Sequence, residues 1–421
     1  MTLRSEPRSI RSPRVAIAAL SACLGMVACG TEDPPAVLTQ VRDSAGVSIV
    51  ESSTLPERGS GGWALEQAPF LTIGTFQGDT LYQLYEVSGG VRLPDGRIAV
   101  SDNGSFQLRI FGSDGTFLSA GGREGEGPGE FQSIRVMGVL GQDTLVIVDG
   151  RLRRISLFRP DVGFVGQSTV DEEVGITYVA NGMLRDGSLV FGGGLTLGPG
   201  GEIPSDGLSR SDAPYRSAGL DGSLAADFGT VPGPEVFIRT RGGGGEFMIS
   251  ASSIPFARHP AAHARGDRFY MGSADTYEIL GFDSGGRLGR IIRVLQPLPS
   301  VTSQDVGRLI EERVADLEDP SQAPELRGAL RDMPTPETMP AYQACLVDTE
   351  GFLWVEDFRR PGEGLRSWAV FDREGRPRTR LSLPSDNRVL EIGEDYLMAV
   401  FEDPLGVEYL RLHALRRGVG S

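Results

Sequence analysis

LPDGRIAVSDNGSFQLRIFGSDGTF, Leu93 to Phe117, reads as a turn, a β-strand ending in Asp, a short loop, a strand ending in Phe, and an Asp-Gly turn. It leads into the glycine-rich GREGEGPGEF, Gly122 to Phe131. Short apolar strands punctuated by Asp-Gly turns predict a small antiparallel sheet. One such unit cannot bury its own apolar face, whereas a ring of them can.

The unit returns along the chain. Aligned on the strand after each first turn, its copies start at Ile98, Leu145, Leu189, Phe269, Leu353 and Leu397. The intervals between them are 47, 44, 80, 84 and 44 residues. Three match a four-stranded propeller blade of about 40–50 residues. The two long ones hold sequence unlike a blade: a Gly/Pro/Ser loop at 192–212, a loop-dominated stretch at 232–255, and 300–340. In the last, Val306, Leu309, Ile310, Val314 and Leu317 share one helical face, with Thr302 or Ser303 as cap and Asp319-Pro320 as stop. A second short helix is expected from Pro324 to Arg331.

The expected fold is therefore all-β. It is a six-bladed β-propeller of four-stranded antiparallel blades over residues 41–421, with a small helical insertion between blades four and five. Two N-terminal strand candidates, Val41 to Ser52 and Trp63 to Gly74, are expected to complete the last blade so that no sheet edge stays open.

The best copy resembles an NHL-type repeat on four features: Asp95-Gly96, the strand Ile98 to Asp102, Arg109-Ile110-Phe111, and the loop Gly122 to Phe131. RDSAGVSIVES joined to GREGEGPGEF also resembles a group of uncharacterised six-bladed propeller lipoproteins of bacteria. The resemblance is close in the first two blades and loose beyond them. It implies a propeller but no single activity, because NHL-like propellers include binding scaffolds, a lyase type that uses zinc or calcium, and lactonase-like enzymes.

Residues 1–29 have the layout of an export signal. Arg4, Arg8, Arg11 and Arg14 precede the apolar stretch Val15 to Ala28, which is too short for a stable transmembrane helix. Met26-Val27-Ala28-Cys29 resembles a bacterial lipobox, which implies a lipid on Cys29 and a linker over 30–40. Leu20-Ser21-Ala22-Cys23 has the same form after a shorter apolar run. Gly30 follows Cys29 where an Asp would hold a lipoprotein at the inner membrane. By that resemblance the expected place is the outer membrane, facing the periplasm.

The chain carries a net charge of −15, and loss of residues 1–28 takes this to about −18. Such a balance excludes a nucleic-acid binder, which needs a basic stripe to displace counterions. Every basic residue is arginine, so chemistry that needs a lysine is excluded: Schiff bases, pyridoxal sites and P-loops. With Cys23 and Cys29 in the leader, Cys345 stands alone and is read as a buried, inert thiol. No nucleophile elbow, dinucleotide fingerprint or Cys-x-x-Cys pair occurs.

Strand alternation places the LPDG and SDG turns on one face of a propeller. The middle loop of each blade, the connection to the next blade and all three insertions then fall on the other. Insertions gathered on one face of a rigid scaffold usually build a binding site. The candidate binding residues there are Asp102, Asn103, Arg123, Glu124, Glu126, Asp149, Arg151, Glu356, Asp357 and Arg359. The recurring carboxylates Asp102, Asp149, Glu356 and Asp357 have a plainer reading as acceptors for backbone amides of the next turn.

Candidate metal ligands, for Ca²⁺ or Zn²⁺, are His259, His263, Asp102 and Asp149. Pro260 argues against a helix that would pair the two histidines, and on a strand they would stand about 13 Å apart. Two expectations follow. The first is a lipid-anchored, non-catalytic scaffold that binds a protein, peptide or glycan. The second is a lactonase-like hydrolase or lyase with a divalent ion in the central channel.

Overall fold

The computed structural model describes residues 37–175, 179–194, 206–243 and 246–418. The leader, Cys29 and most of the 192–212 loop lie outside the described residues.

The Asp-Gly cadence has a local cause. Asp95 Oδ1 accepts the amide of Arg97 at 3.0 Å, and Asp114 Oδ1 accepts that of Thr116 at 3.0 Å. The same bond forms from Asp186 to Ser188, Asp221 to Ser223, Asp283 to Gly285, Asp348 to Glu350, Asp372 to Glu374 and Asp403 to Leu405. Asp fixes these turns from within, and a glycine one or three residues on takes the positive φ the turn needs, 91° at Gly96 and 84° at Gly115.

The strands so connected form six four-stranded antiparallel units, called sheets one to six here; four stand separately, and parallel pairings join the third, the fourth and an N-terminal hairpin into one ten-stranded array. The first is Val87–Arg92, Ile98–Asp102, Gln107–Phe111 and Phe117–Gly121; the second is Arg135–Leu140, Thr144–Asp149, Arg154–Arg159 and Gly163–Thr169. The third comprises Ala180–Leu184, Leu189–Gly192, Asp212–Ala218 and Leu224–Pro232. Ala261–Gly266, Arg268–Gly272, Glu278–Phe282 and Leu288–Val294 make the fourth. The fifth is Ala344–Val347, Leu353–Glu356, Leu365–Phe371 and Pro377–Pro384. In the sixth, Asn387–Ile392, Tyr396–Glu402 and Glu408–Arg416 are joined by Ala64–Ile73 from the N-terminal side.

Six apolar cores lie between successive sheets, including one between the sixth and the first, so the sheets close into a propeller. The closing core sets Ile73, Met398 and Leu410 against Val100 and Phe111. Each fully buried side chain of this size contributes about 1.5–3 kcal/mol. The first strands of all six sheets line a central channel of about 1140 Å³. They crowd one another there. A Cβ on Gly182, at φ 113°, would stand 2.1 Å from the Ala264 carbonyl oxygen, where the inner strands of sheets three and four pair in parallel.

Two expectations about the chain's path are corrected. Only Trp63 to Gly74 supplies the closing strand. The earlier segment forms a hairpin, Thr39–Ser44 with Val47–Ser52, whose second strand runs parallel to Leu288–Val294 on the outer edge of sheet four. Burial of Val50 and Ile49 holds it there. The loop-dominated 232–255 stretch is also a hairpin, Val236–Gly243 with Glu246–Ser253, and Gly207–Ser209 pairs with it as a third strand. The helices α1, Ser303–Ala315, and α2, Ala323–Arg331, fall between sheets four and five. Thr302 caps α1 in a reciprocal box with Asp305, and Arg327 on α2 pairs with Glu311 on α1 at 2.7 Å.

Candidate functional site

The carboxylates that recur at strand ends hold backbone. Asp102 takes the amides of Ser105 at 3.0 Å and Tyr85 at 3.4 Å, and pairs with buried Arg109 at 3.3 Å. Arg109 in turn donates to the carbonyls of Thr80, Leu81 and Gln83 in the connection that enters sheet one. Asp149 accepts four amides, from Gln132, Ser133, Arg151 and Leu152, at 2.8–3.3 Å. Arg154 then pins GREGEGPGEF by the carbonyls of Glu126, Gly127 and Glu130. The repeated Asp and Arg are thus one device: acceptor for the amides, donor for the carbonyls, of the loops between sheets.

Other candidates belong to the same frame. Asn103 accepts from the Ile134 amide at 3.0 Å. Arg123 pairs with Glu130, Glu126 accepts from Gln132 Nε2 at 2.7 Å, and Phe131 packs inward, fully buried. Glu124 and Arg151 are exposed. Buried Glu356 receives Gln343 Nε2 at 2.8 Å and Arg366 at 2.9 Å; burial pushes its carboxyl above the usual range against the pull of Arg366. Asp357 pairs with Arg380.

The three insertions meet on one face. Arg210, from the first, donates to the Gly233 carbonyl at 2.8 Å and to Asp275 at 2.6 Å. Glu235, from the second, receives Arg258 at 3.1 Å, and Arg258 reaches Thr338 Oγ1 of the third at 3.0 Å. Beside this network lies a groove of about 280 Å³. Its walls are Phe256 and His259, the α1 residues Leu309 and Glu312, and Phe358 and Arg359 from the middle loop of sheet five. Phe256 holds an αL backbone, φ 58°, and packs on Phe358 with ring centroids 6.1 Å apart. Arg359 faces Glu312 at 3.7 Å, tying the loop to the helix.

The candidate metal ligands lie apart. The strand begins at Ala261, so His259 stays in the preceding loop, where Nε2 meets Ser253 Oγ at 2.9 Å. His263 lines the central channel and accepts the Val347 amide through Nδ1 at 3.0 Å. Burial, with Arg265 and Arg135 close by, holds its imidazole down to about 3. Among the described residues no three His, Cys, Asp or Glu side chains gather as a metal site would need. Cys345 is buried and free, its thiol pushed up to about 12 by burial.

The sequence reading missed the charges inside the channel: Arg135, Arg265 and Arg388 on the inner strands, and Glu391 opposite Arg265 at 2.6 Å. Their signal was a charged residue within an otherwise apolar first strand, as in IRVMG, AHARG and NRVLEI. The channel's rim includes Pro94, Gly141, Arg185, Asp267 and Gly351, all in first turns. Its mouth therefore opens on the short-turn face, opposite the insertions.

No family model matches the chain, and no curated protein matches it. Among solved structures, a putative exported protein from Bacteroides fragilis is similar at 12% identity and a TM-score of 0.49, covering 88% of this chain and 99% of that one. A member of the duf4221 family from Bacteroides vulgatus is similar at 11% identity and a TM-score of 0.47, covering 84% of this chain and 99% of that one. A streptogramin B lyase is similar at 10% identity and a TM-score of 0.39, covering 84% and 98%. At such scores the identity of the fold rests on the strands of this chain themselves.

Proposed function

We propose that the chain is an exported, lipid-anchored propeller that binds a protein, peptide or glycan through its insertion-rich face, without catalysing a reaction. One observation supports this above others: three insertions far apart in sequence are knitted by Arg210, Glu235, Arg258 and Asp275 into a single surface beside a groove. Its aromatic and charged walls suit a ligand with both apolar and polar groups. The carboxylates that would serve a hydrolase are engaged with backbone amides and arginines instead. The anchor would be a diacylglyceryl group on Cys29, with the propeller at the outer membrane facing the periplasm.

A photo-crosslinking residue at Phe358, introduced into the chain in its native envelope, tests this reading. It is expected to trap one defined partner, which the same probe at Pro94 on the opposite face does not. Deletion of 192–212 and 302–332 is expected to abolish the adduct. A partner that stays bound to the deleted protein contradicts the proposal.

A further inference from the structure

The channel wall is charged against the chain. The whole chain is at −15, yet eight arginines and five carboxylates line the channel. Near the mouth the charges pair off, Arg185 with Asp267 at 2.7 Å and Arg373 with Glu350 at 3.5 Å. Deeper in, Arg265 is matched by Glu391, and Asp348 by Arg417 at 2.8 Å.

Arg135 has no such match. The one hydrogen bond of its side chain among the described residues is a long one, 3.5 Å to the Ala180 carbonyl, and no carboxylate stands within ion-pair distance. It is the first residue of an inner strand, solvent-exposed, and it lines the lumen. The nearby cation, Arg388, reaches Glu408 at 3.5 Å. The channel wall around it, which limits its solvation, and then Arg388 pull the Arg135 guanidinium below its ordinary value. His263 adds a donor: its Nδ1 accepts an amide, so the neutral ring carries its proton on Nε2. Around these groups Met137, Val139, Met183, Leu346, Val389 and Leu390 supply apolar wall.

A cleft wall that carries an unmatched cation draws anions, and a ligand with the opposite charge supplies the missing partner. We propose that the central channel binds a small organic oxyanion, a carboxylate or a phosphate ester. Arg135 takes its charged oxygens, Arg388 and the Nε2–H of His263 assist, and the apolar wall receives its organic part. Entry is from the short-turn face, so this site is independent of the insertion surface.

The test is a titration of the ¹⁵N-labelled full chain, following the His263 ring nitrogens by NMR, with inorganic phosphate and with benzoate at constant ionic strength. A saturable shift with phosphate alone assigns a phosphate ligand, with benzoate alone a carboxylate, and with both an oxyanion site that accepts either. Arg135→Gln is expected to weaken binding by about tenfold or more, the worth of one charge-assisted hydrogen bond. It is also expected to melt at the same or a higher temperature, because it removes an unmatched charge; Arg135→Lys should retain part of the affinity. No saturable shift with either anion, or equal affinity in Arg135→Gln, overturns the proposal. So does a marked fall in melting temperature for Arg135→Gln, which would make Arg135 a structural residue.

Discussion

His263 shows how one residue's environment sets its chemistry. Burial first, then Arg265 and Arg135, hold its imidazole down from an ordinary 6.5 to about 3 in the fold. The fold therefore takes up this proton later than the unfolded chain does, and stability falls as pH drops below about 6.5, the loss being complete near 3. The turn carboxylates act lower: hydrogen bonds hold Asp114 and Asp221 below 3.8, so their contribution is present above that value and lost beneath it. Replacement of His263 by Asn is expected to flatten the decline in melting temperature between pH 6.5 and 4.5 while leaving the steeper acid limb. An unchanged profile in that window contradicts the assignment. The sequence could place His263 on a strand, but its partner, the Val347 amide, lies 84 residues away across a sheet boundary. A pairing of that kind leaves no local trace.

Elements built on the repeat were legible because their signals are local. Asp-Gly turns, alternating strands and the capped apolar stripe of α1 each declare themselves within a dozen residues. The 232–255 stretch was not, since its prolines and glycines read as loop. Val236–Gly243 becomes a strand because Glu246–Ser253 and Gly207–Ser209 pair with it, the latter from about 30 residues away. The same holds for the network that joins the insertions, which only tertiary structure assembles. Glu235→Ala would remove one of the two carboxylates, with Asp275, that Arg258 and Arg210 share, at a cost of about 1.5–3 kcal/mol. Denaturant unfolding should read this as a lower midpoint. A change under about 0.5 kcal/mol would mean that the insertions are held by other contacts.

For the molecule as a whole, the sequence disclosed six similar units, their two faces and closure from the N-terminal side, but not which N-terminal segment closes the ring or where its channel opens. Both N-terminal segments were expected in the last blade. Packing decides between them: Ile73 enters the core between sheets six and one, whereas Val50 covers the outer edge of sheet four. The channel's polarity was hidden for a related reason. Six inner strands converge only once the ring exists, and their arginines come from sites as distant as Arg135 and Arg388. The scaffold then presents two surfaces of different kinds, a knitted insertion face and an arginine-rich channel that opens on the opposite side.

Both depend on a ring closed by its own N-terminal strand, and hydrogen exchange of the intact chain measures that closure directly. Amides of Ala64–Ile73 are expected to be protected together with those of Glu408–Arg416, their partner strand, and to open with them in one step. Free exchange of Ala64–Ile73 while Glu408–Arg416 stays protected would contradict the closed ring.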